Sequence, residues 1–142
     1  MPLEKSAGAV IFRRDNGEVC YLLLHYPVSH WDFPKGNIEK GERLAETIRR
    51  EVKEETGIGD IEFISGFKEW IKYFFKIKDK NIFKIVTFFL AETKEKEVKI
   101  SWEHEGYKWL PYKEAIEQLT FKNAKEILKK ANEFLRKNLT EI

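Results

Sequence analysis

Residues 36–58 read GNIEKGERLAETIRREVKEETGI, and the helix within them sets the terms for the rest of the chain. Arg43 to Thr56 contains neither glycine nor proline, and Gly57 follows in a C-cap position. Ala45, Ile48 and Val52 recur at helical spacing and form the apolar face. At about 100° per residue, Glu51 and Glu55 lie about 40° apart, with Glu54 about 60° to the other side of Glu51. The three carboxylates therefore project within about 100° of arc, centred about 90° from the apolar set. Such a helix packs on a sheet by one face and presents its carboxylates at the edge of that packing.

Like charges three and four residues apart destabilise a helix by a few tenths of a kcal/mol each. A hard divalent cation would offset that, because carboxylate oxygens and water suit Mg²⁺, which also bridges substrate phosphates. Arg50 can pair with one of the acids and orient it. Gly36 and Gly41 permit unusual backbone angles, and their carbonyls can approach an ion closely. Glu42 stands at the helix entrance. Against this stands the plainer reading of a solvated face, since Glu is a strong helix former.

Outward from the helix, Ser6–Phe12 and Val19–His25 predict two strands joined at Asp15-Asn16-Gly17. Pro27–Gly41 predicts a loop. Downstream, Ile61–Ile64, Trp70–Ile77 and Phe83–Ala91 predict strands, the last two turning at Lys78-Asp79-Lys80-Asn81. Val98–Ile100 and Tyr107–Leu110 predict short strands, Pro111–Leu119 a short helix, and Asn123–Lys137 a clearer amphipathic one. Strands and helices mix without regular alternation. The expected class is α+β, with helices covering a mixed sheet on two faces.

The chain has 142 residues, which predicts a single domain over 1–142. The longest apolar stretch, near Ile85–Ala91, is far short of a membrane span. Met1-Pro2-Leu3-Glu4-Lys5 shows no signal peptide. One cysteine, Cys20, excludes an internal disulfide framework. A soluble, cytoplasmic protein without a membrane partner is expected. The net charge of +2 gives no overall footprint for nucleic acid, so no stable nucleic-acid partner is expected, although local patches are invisible in composition. The Lys/Glu bias with a single glutamine, Gln118, resembles a thermophile's composition.

Gly36, five residues, Glu42, seven residues, then Arg50-Glu51-Val52-Lys53-Glu54-Glu55-Thr56-Gly57-Ile58 resembles the Nudix box without a missing position. The resemblance extends through His30-Trp31-Asp32-Phe33-Pro34-Lys35-Gly36, Gly66-Phe67-Lys68, Glu103-His104-Glu105-Gly106-Tyr107-Lys108-Trp109-Leu110 and Phe121-Lys122. Over roughly residues 5 to 137 the chain is similar to the asymmetrically cleaving diadenosine tetraphosphate hydrolases of that family.

That resemblance implies a Nudix-type α/β/α sandwich and hydrolysis of a pyrophosphate bond with Mg²⁺, or Mn²⁺ in its place. It implies Glu51 and Glu55 as the main metal ligands, Glu54 beside them, and the Gly36 carbonyl and Glu103 as further ligands. Arg50 would orient the carboxylates and Glu42 would be a supporting acid. Glu103 is alternatively the general base, a role the box leaves open between it and the helix glutamates. His30, Lys35 and Lys84 would contact the phosphate chain, while Tyr73 and Phe121 would sandwich an adenine. For each of the last two, core packing is an equally good reading of an aromatic-rich chain.

The expected reaction is diadenosine tetraphosphate to ATP and AMP by water attack, with these small nucleotides as partners. The alternatives are removal of pyrophosphate from an oxidised nucleoside triphosphate or from an RNA 5′ end, and a nucleotide-binding module that has lost catalysis.

Overall fold

In the computed structural model the described residues run from 3 to 139, with the side chain of Leu139 left aside. Met1 and Pro2, part of the start read above, lie outside them. A long first strand, β1 (Leu3–Asp15), turns at Asn16-Gly17 into β2 (Glu18–Tyr26). Both turn residues have positive φ, 52° and 84°, the mirror-image turn whose twist matches a hairpin. The segment 27–41 is not all loop. It holds two three-residue strands, β3 (His30–Asp32) on β2 and β4 (Lys35–Asn37) on β1. Proline and glycine conceal them in the sequence, and they exist because neighbouring strand edges accept their hydrogen bonds.

Helix α1 (Leu44–Thr56) follows. The next two predicted strands are one, β5 (Glu62–Ile77), with a register irregularity between Phe63 and Lys68. It turns at Lys78-Asp79, both at positive φ, into β6 (Lys80–Glu92). Then come β7 (Gly106–Pro111), α2 (Tyr112–Gln118) and α3 (Lys122–Leu139). The sheet runs β3-β2-β1-β6-β5, with β4 on β1 and β7 on β2; only β1–β6 is parallel. It is the mixed sheet expected.

Val98–Ile100 is not a strand. The Lys99 and Ser101 N–H groups donate instead to the carbonyls of Thr56 (2.8 Å) and Glu55 (3.2 Å) at the end of α1. Helix ends leave carbonyls unsatisfied, and this segment caps them.

At β1 and β2 the sheet is buried on both faces. Ala7, Ala9, Ile11, Leu22 and Leu24 point to α1, where Ile48 and Val52 cover them. Val10, Phe12, Tyr21 and Leu23 point the other way, to α2 and α3, where Ala124, Ile127, Leu128, Ala131 and Leu135 cover them. This explains why the strands read as continuous apolar runs rather than alternating ones. Among the described residues no helix is long and apolar enough to cross a membrane.

Gly57 ends α1 in the left-handed conformation (φ 77°), its N–H donating to the Lys53 carbonyl. A Cβ there would stand 3.4 Å from the Cβ of Lys99 in the capping segment. Gly57→Ala should therefore cost about 1–2 kcal/mol, seen as a lower midpoint in thermal unfolding with an unchanged circular dichroism spectrum.

Candidate active site

The carboxylates of α1 meet β4 at one point. A methyl group built on Gly36 would overlap the carboxylate of Glu51. Only a glycine lets the helix seat this acid against the strand. Arg50 holds the surrounding acids. Its Nε and Nη2 donate to the two oxygens of Glu42 (2.7 and 3.0 Å), and Nη1 donates to Glu51 (2.6 Å) and Glu54 (3.3 Å). Nη2 also donates to the Asn37 carbonyl at 3.0 Å, tying β4 to the helix.

Glu42 accepts two further bonds, from Thr47 Oγ1 (2.8 Å) and the Glu39 N–H (2.9 Å). Arg50 and these donors hold its carboxyl down to about 2. Glu42 is thus an anionic anchor for Arg50, with little capacity left to accept a proton. Glu51 is the opposite case. Burial pushes its carboxyl up to about 7, with the charges of Glu55 and Glu54 adding to the rise and Arg50 opposing it. Glu54 is exposed at the rim.

Glu55 is buried. Its Oε1 accepts from the Tyr26 hydroxyl (3.2 Å), which also reaches the Phe33 carbonyl (2.8 Å). His104 Nε2 lies 3.1 Å from the same Oε1 but off the line of a hydrogen bond, while its Nδ1 is 2.9 Å from Ser101 Oγ. The second oxygen, Oε2, is buried without a partner. An unsatisfied buried acceptor of this kind costs about 1–3 kcal/mol or more, so Glu55 is left needing a positive partner. Glu103 sits on the same 101–105 loop. Its carboxylate is exposed and, among the described residues, held by no side chain, and its N–H donates to Ser101 Oγ at 3.3 Å.

The donor set suits a hard divalent cation. It offers carboxylates, one of them with an orphaned buried oxygen, around the Gly36–Glu51 contact. Among the described residues, however, no three acidic, cysteine or histidine groups converge into a closed cage. Arg50 draws Glu51 and Glu54 to itself instead. Mg²⁺ is usually bound by one or two carboxylates, with water and phosphate oxygens completing its shell, so an open set is sufficient.

The predicted substrate residues gather beside this cluster. Lys35, Tyr73 and Phe121 line one cavity of about 230 Å³, with Asp32, Ile71, Asn123 and Ala124. Lys35 Nζ pairs with Asp32 Oδ2 at 2.8 Å. His30 packs against Phe121 (ring centroids 5.2 Å apart) and stacks on Tyr26 at the same separation. Lys84 lies opposite Tyr73 in the β5–β6 ladder. Burial and the nearby Lys35 charge lower its ammonium from the usual range, so an anion bound here would relieve that repulsion.

Lys35 and Gly36 are neighbours in β4 yet face opposite sides of the sheet, Lys35 the cavity and Gly36 the carboxylates. A chain of phosphates passing from one to the other must cross β4. Tyr26, Asp32, Thr47 and His104 were not singled out from sequence. His104 adjoins Glu103 in the quoted motif, but nothing in spacing shows which side chains meet across strands.

The profile of the NUDIX domain matches residues 2–131. The chain belongs to the Nudix family of pyrophosphohydrolases. It is 36% identical to the asymmetrical bis(5′-nucleosyl)-tetraphosphatase of Mus musculus, over 92% of this chain and 95% of that protein. It is similar to the binary complex of Caenorhabditis elegans Ap4A hydrolase, with TM-score 0.82 and 33% identity over 94% of this chain and 98% of that one. An RNA pyrophosphohydrolase of Nitratiruptor is 37% identical over 75% of this chain and 74% of its own length.

Because Glu51's carboxyl is higher in the folded protein than its ordinary 4.5, the folded state binds the extra proton between pH 4.5 and 7. Stability attributable to this group is then present at low pH and lost as pH rises through 7. In metal-free protein, Glu51→Gln should raise the unfolding midpoint at pH 8 by a few degrees, corresponding to roughly 1–2 kcal/mol after solvent screening. The gain should vanish by about pH 4. A pH-independent difference would show that the raised proton affinity is not the cause.

Proposed function

We propose that this chain is a cytoplasmic, single-domain enzyme that hydrolyses diadenosine tetraphosphate to ATP and AMP. The observation that carries the reading is the cavity in which Tyr73, Phe121 and Lys35 come together beside the Gly36–Glu51 contact. An adenine stacks between flat faces at Tyr73 and Phe121. Lys35, Lys84 and His30 bind the first phosphates. The chain then crosses β4 to the carboxylates of α1. The asymmetrical tetraphosphatase relatives, matched over nearly the full length of both proteins, support this choice of substrate.

Glu51, Glu54 and Glu55, with the Gly36 carbonyl and Glu103 as further ligands, would hold Mg²⁺ or Mn²⁺. When bound, the cation neutralises phosphate charge and acidifies water. Arg50, held by Glu42, fixes the directions of Glu51 and Glu54. Tyr26 and His104 buttress one oxygen of Glu55 and leave the other free. Glu103, whose carboxylate no other described side chain holds, takes the proton of the attacking water. Water adds to phosphorus, the bridging P–O bond breaks, and AMP and ATP leave.

Two measurements test this. Purified protein with Mg²⁺ should release ATP plus AMP from diadenosine tetraphosphate faster than it acts on an oxidised deoxynucleoside triphosphate or a 5′-triphosphorylated RNA. Tyr73→Ala should raise KM about tenfold with kcat little changed. Faster turnover of either competitor would discard the substrate assignment. Separately, Mn²⁺ titrated into nucleotide-free protein and followed by electron paramagnetic resonance should bind 10- to 100-fold more weakly to His104→Ala than to the parent. Equal affinity would remove His104 from the support of Glu55.

A further inference from the structure

The β5 strand carries a pattern that the proposed reaction leaves unused. Ile71 and Tyr73 point to the helix α3 side, so Lys68, Trp70, Lys72, Phe74 and Lys76 share the opposite face. All five are exposed, Trp70 at 55% and Phe74 at 66%. Their partners across β6 are Phe89, Thr87, Ile85, Phe83 and Asn81. Beyond these, on β1, come Ala9, Ala7, Lys5 and Leu3. No carboxylate occupies any of these positions, although 24 of the 142 residues are acidic. The rings of Phe74 and Phe83 lie 4.8 Å apart, which braces Phe74 on the sheet.

The face lies on the same side of the sheet as the carboxylate cluster, with the buried Ala7 and Ala9 between them. One ladder row runs Trp70, Thr87, Ala7, Gly36, and Gly36 is the residue against which Glu51 sits. Three strand spacings separate its ends, about 15 Å. Trp70 and Phe74 are about 13 Å apart along the strand, and Lys68 to Lys76 spans about 27 Å. Flat apolar rings alternating with cations over that length fit an unpaired polynucleotide, whose bases stack while its phosphates lie on lysines. A second copy of this chain fits poorly, since a two-fold contact would set the lysines against one another. A lone mononucleotide would leave most of the lysines unused.

We propose that this face binds single-stranded RNA, with bases on Trp70 and Phe74 and phosphates along Lys68, Lys72 and Lys76. RNA is favoured because the face shares its side of the sheet with the α1 carboxylates, and RNA is the strand that carries a polyphosphate at its 5′ end. The inference goes beyond hydrolysis of a dinucleotide.

The test is fluorescence anisotropy of a labelled 12-residue oligouridylate with the full chain in EDTA, where no turnover intervenes. Binding should be saturable at micromolar concentration, with log affinity falling against log salt at a slope near −2 for three phosphate contacts. Trp70→Ala should weaken binding at least fivefold. Lys72→Gln should make the salt slope shallower by about 0.7. Both variants should retain the parent's KM for diadenosine tetraphosphate, so failure of the dinucleotide assignment and failure of this one read out separately. The proposal is overturned by any of four results: no saturation by about 100 μM, parental affinity in Trp70→Ala, tighter binding of the matching DNA strand or a duplex, or a parent dimer that Trp70→Ala with Phe74→Ala turns into monomers in sedimentation.

Discussion

The arrangement depends on the contact between Gly36 and Glu51. A carboxylate occupies the space where any other residue at position 36 would carry its side chain. That contact fixes the height of α1 over β4, and the ladder of β4 on β1 transmits it to the centre of the sheet. It is also the source of the site's electrostatics. Pressing Glu51 against backbone removes it from water and raises its proton affinity. Four glutamates around one arginine leave negative charge in excess. In the protein alone, Arg50 bears that charge by reaching Glu39, Glu42, Glu51 and Glu54. The folded chain therefore stores an unfavourable charge distribution that a cation relieves, which is how a binding site differs from a merely stable one.

The two-faced sheet then divides the labour. One face, under α1, holds the acids; the other, under α2 and α3, holds the cavity with Tyr73 and Phe121. β4 lies between them with Lys35 and Gly36 turned to opposite sides. Two adjacent residues thus serve two half-sites, because side chains alternate along an extended strand. The same segment carries Asp32, whose buried carboxylate holds both Lys35 and the Phe33 N–H. The lysine is positioned before any phosphate arrives, which lowers the ordering cost of binding.

What was legible in the sequence follows from how local each feature is. The α1 carboxylates, their arc and the Gly57 terminus depend on residues within a few turns of one another, and helical periodicity displays them directly. The sandwich was legible because strand and helix signals mix without regular alternation, and the uninterrupted apolar runs Ala7 to Phe12 and Tyr21 to Leu24 agree with cover on both sides. The short strands β3 and β4 were hidden, since three residues carry no periodicity and their pairing is set by distant edges. Val98–Ile100 departs from a strand for a related reason. Its apolar alternation is real, and Val98 and Ile100 do pack against the α1-side core, but its N–H groups serve helix carbonyls rather than a strand. Tyr26 and His104 could not be assigned to Glu55 from spacing alone, because 29 residues separate Tyr26 from it and the loop carrying His104 is placed by the α1 cap.

Composition averages what a surface separates. A net charge of +2 averages 26 bases and 24 acids over the whole surface, whereas recognition is governed by charge on a face. Four of the glutamates surround Arg50, while the ladder positions on the face of the β5 lysines carry no carboxylate. The glutamates around Arg50 suit a cation and the lysines of β5 suit a polyanion, and about 15 Å separates Trp70 from Gly36 along a single ladder row. Beyond one Debye length, about 8 Å at physiological ionic strength, exposed charges are largely screened from each other. The two regions can therefore act on different charges of the same ligand without cancelling.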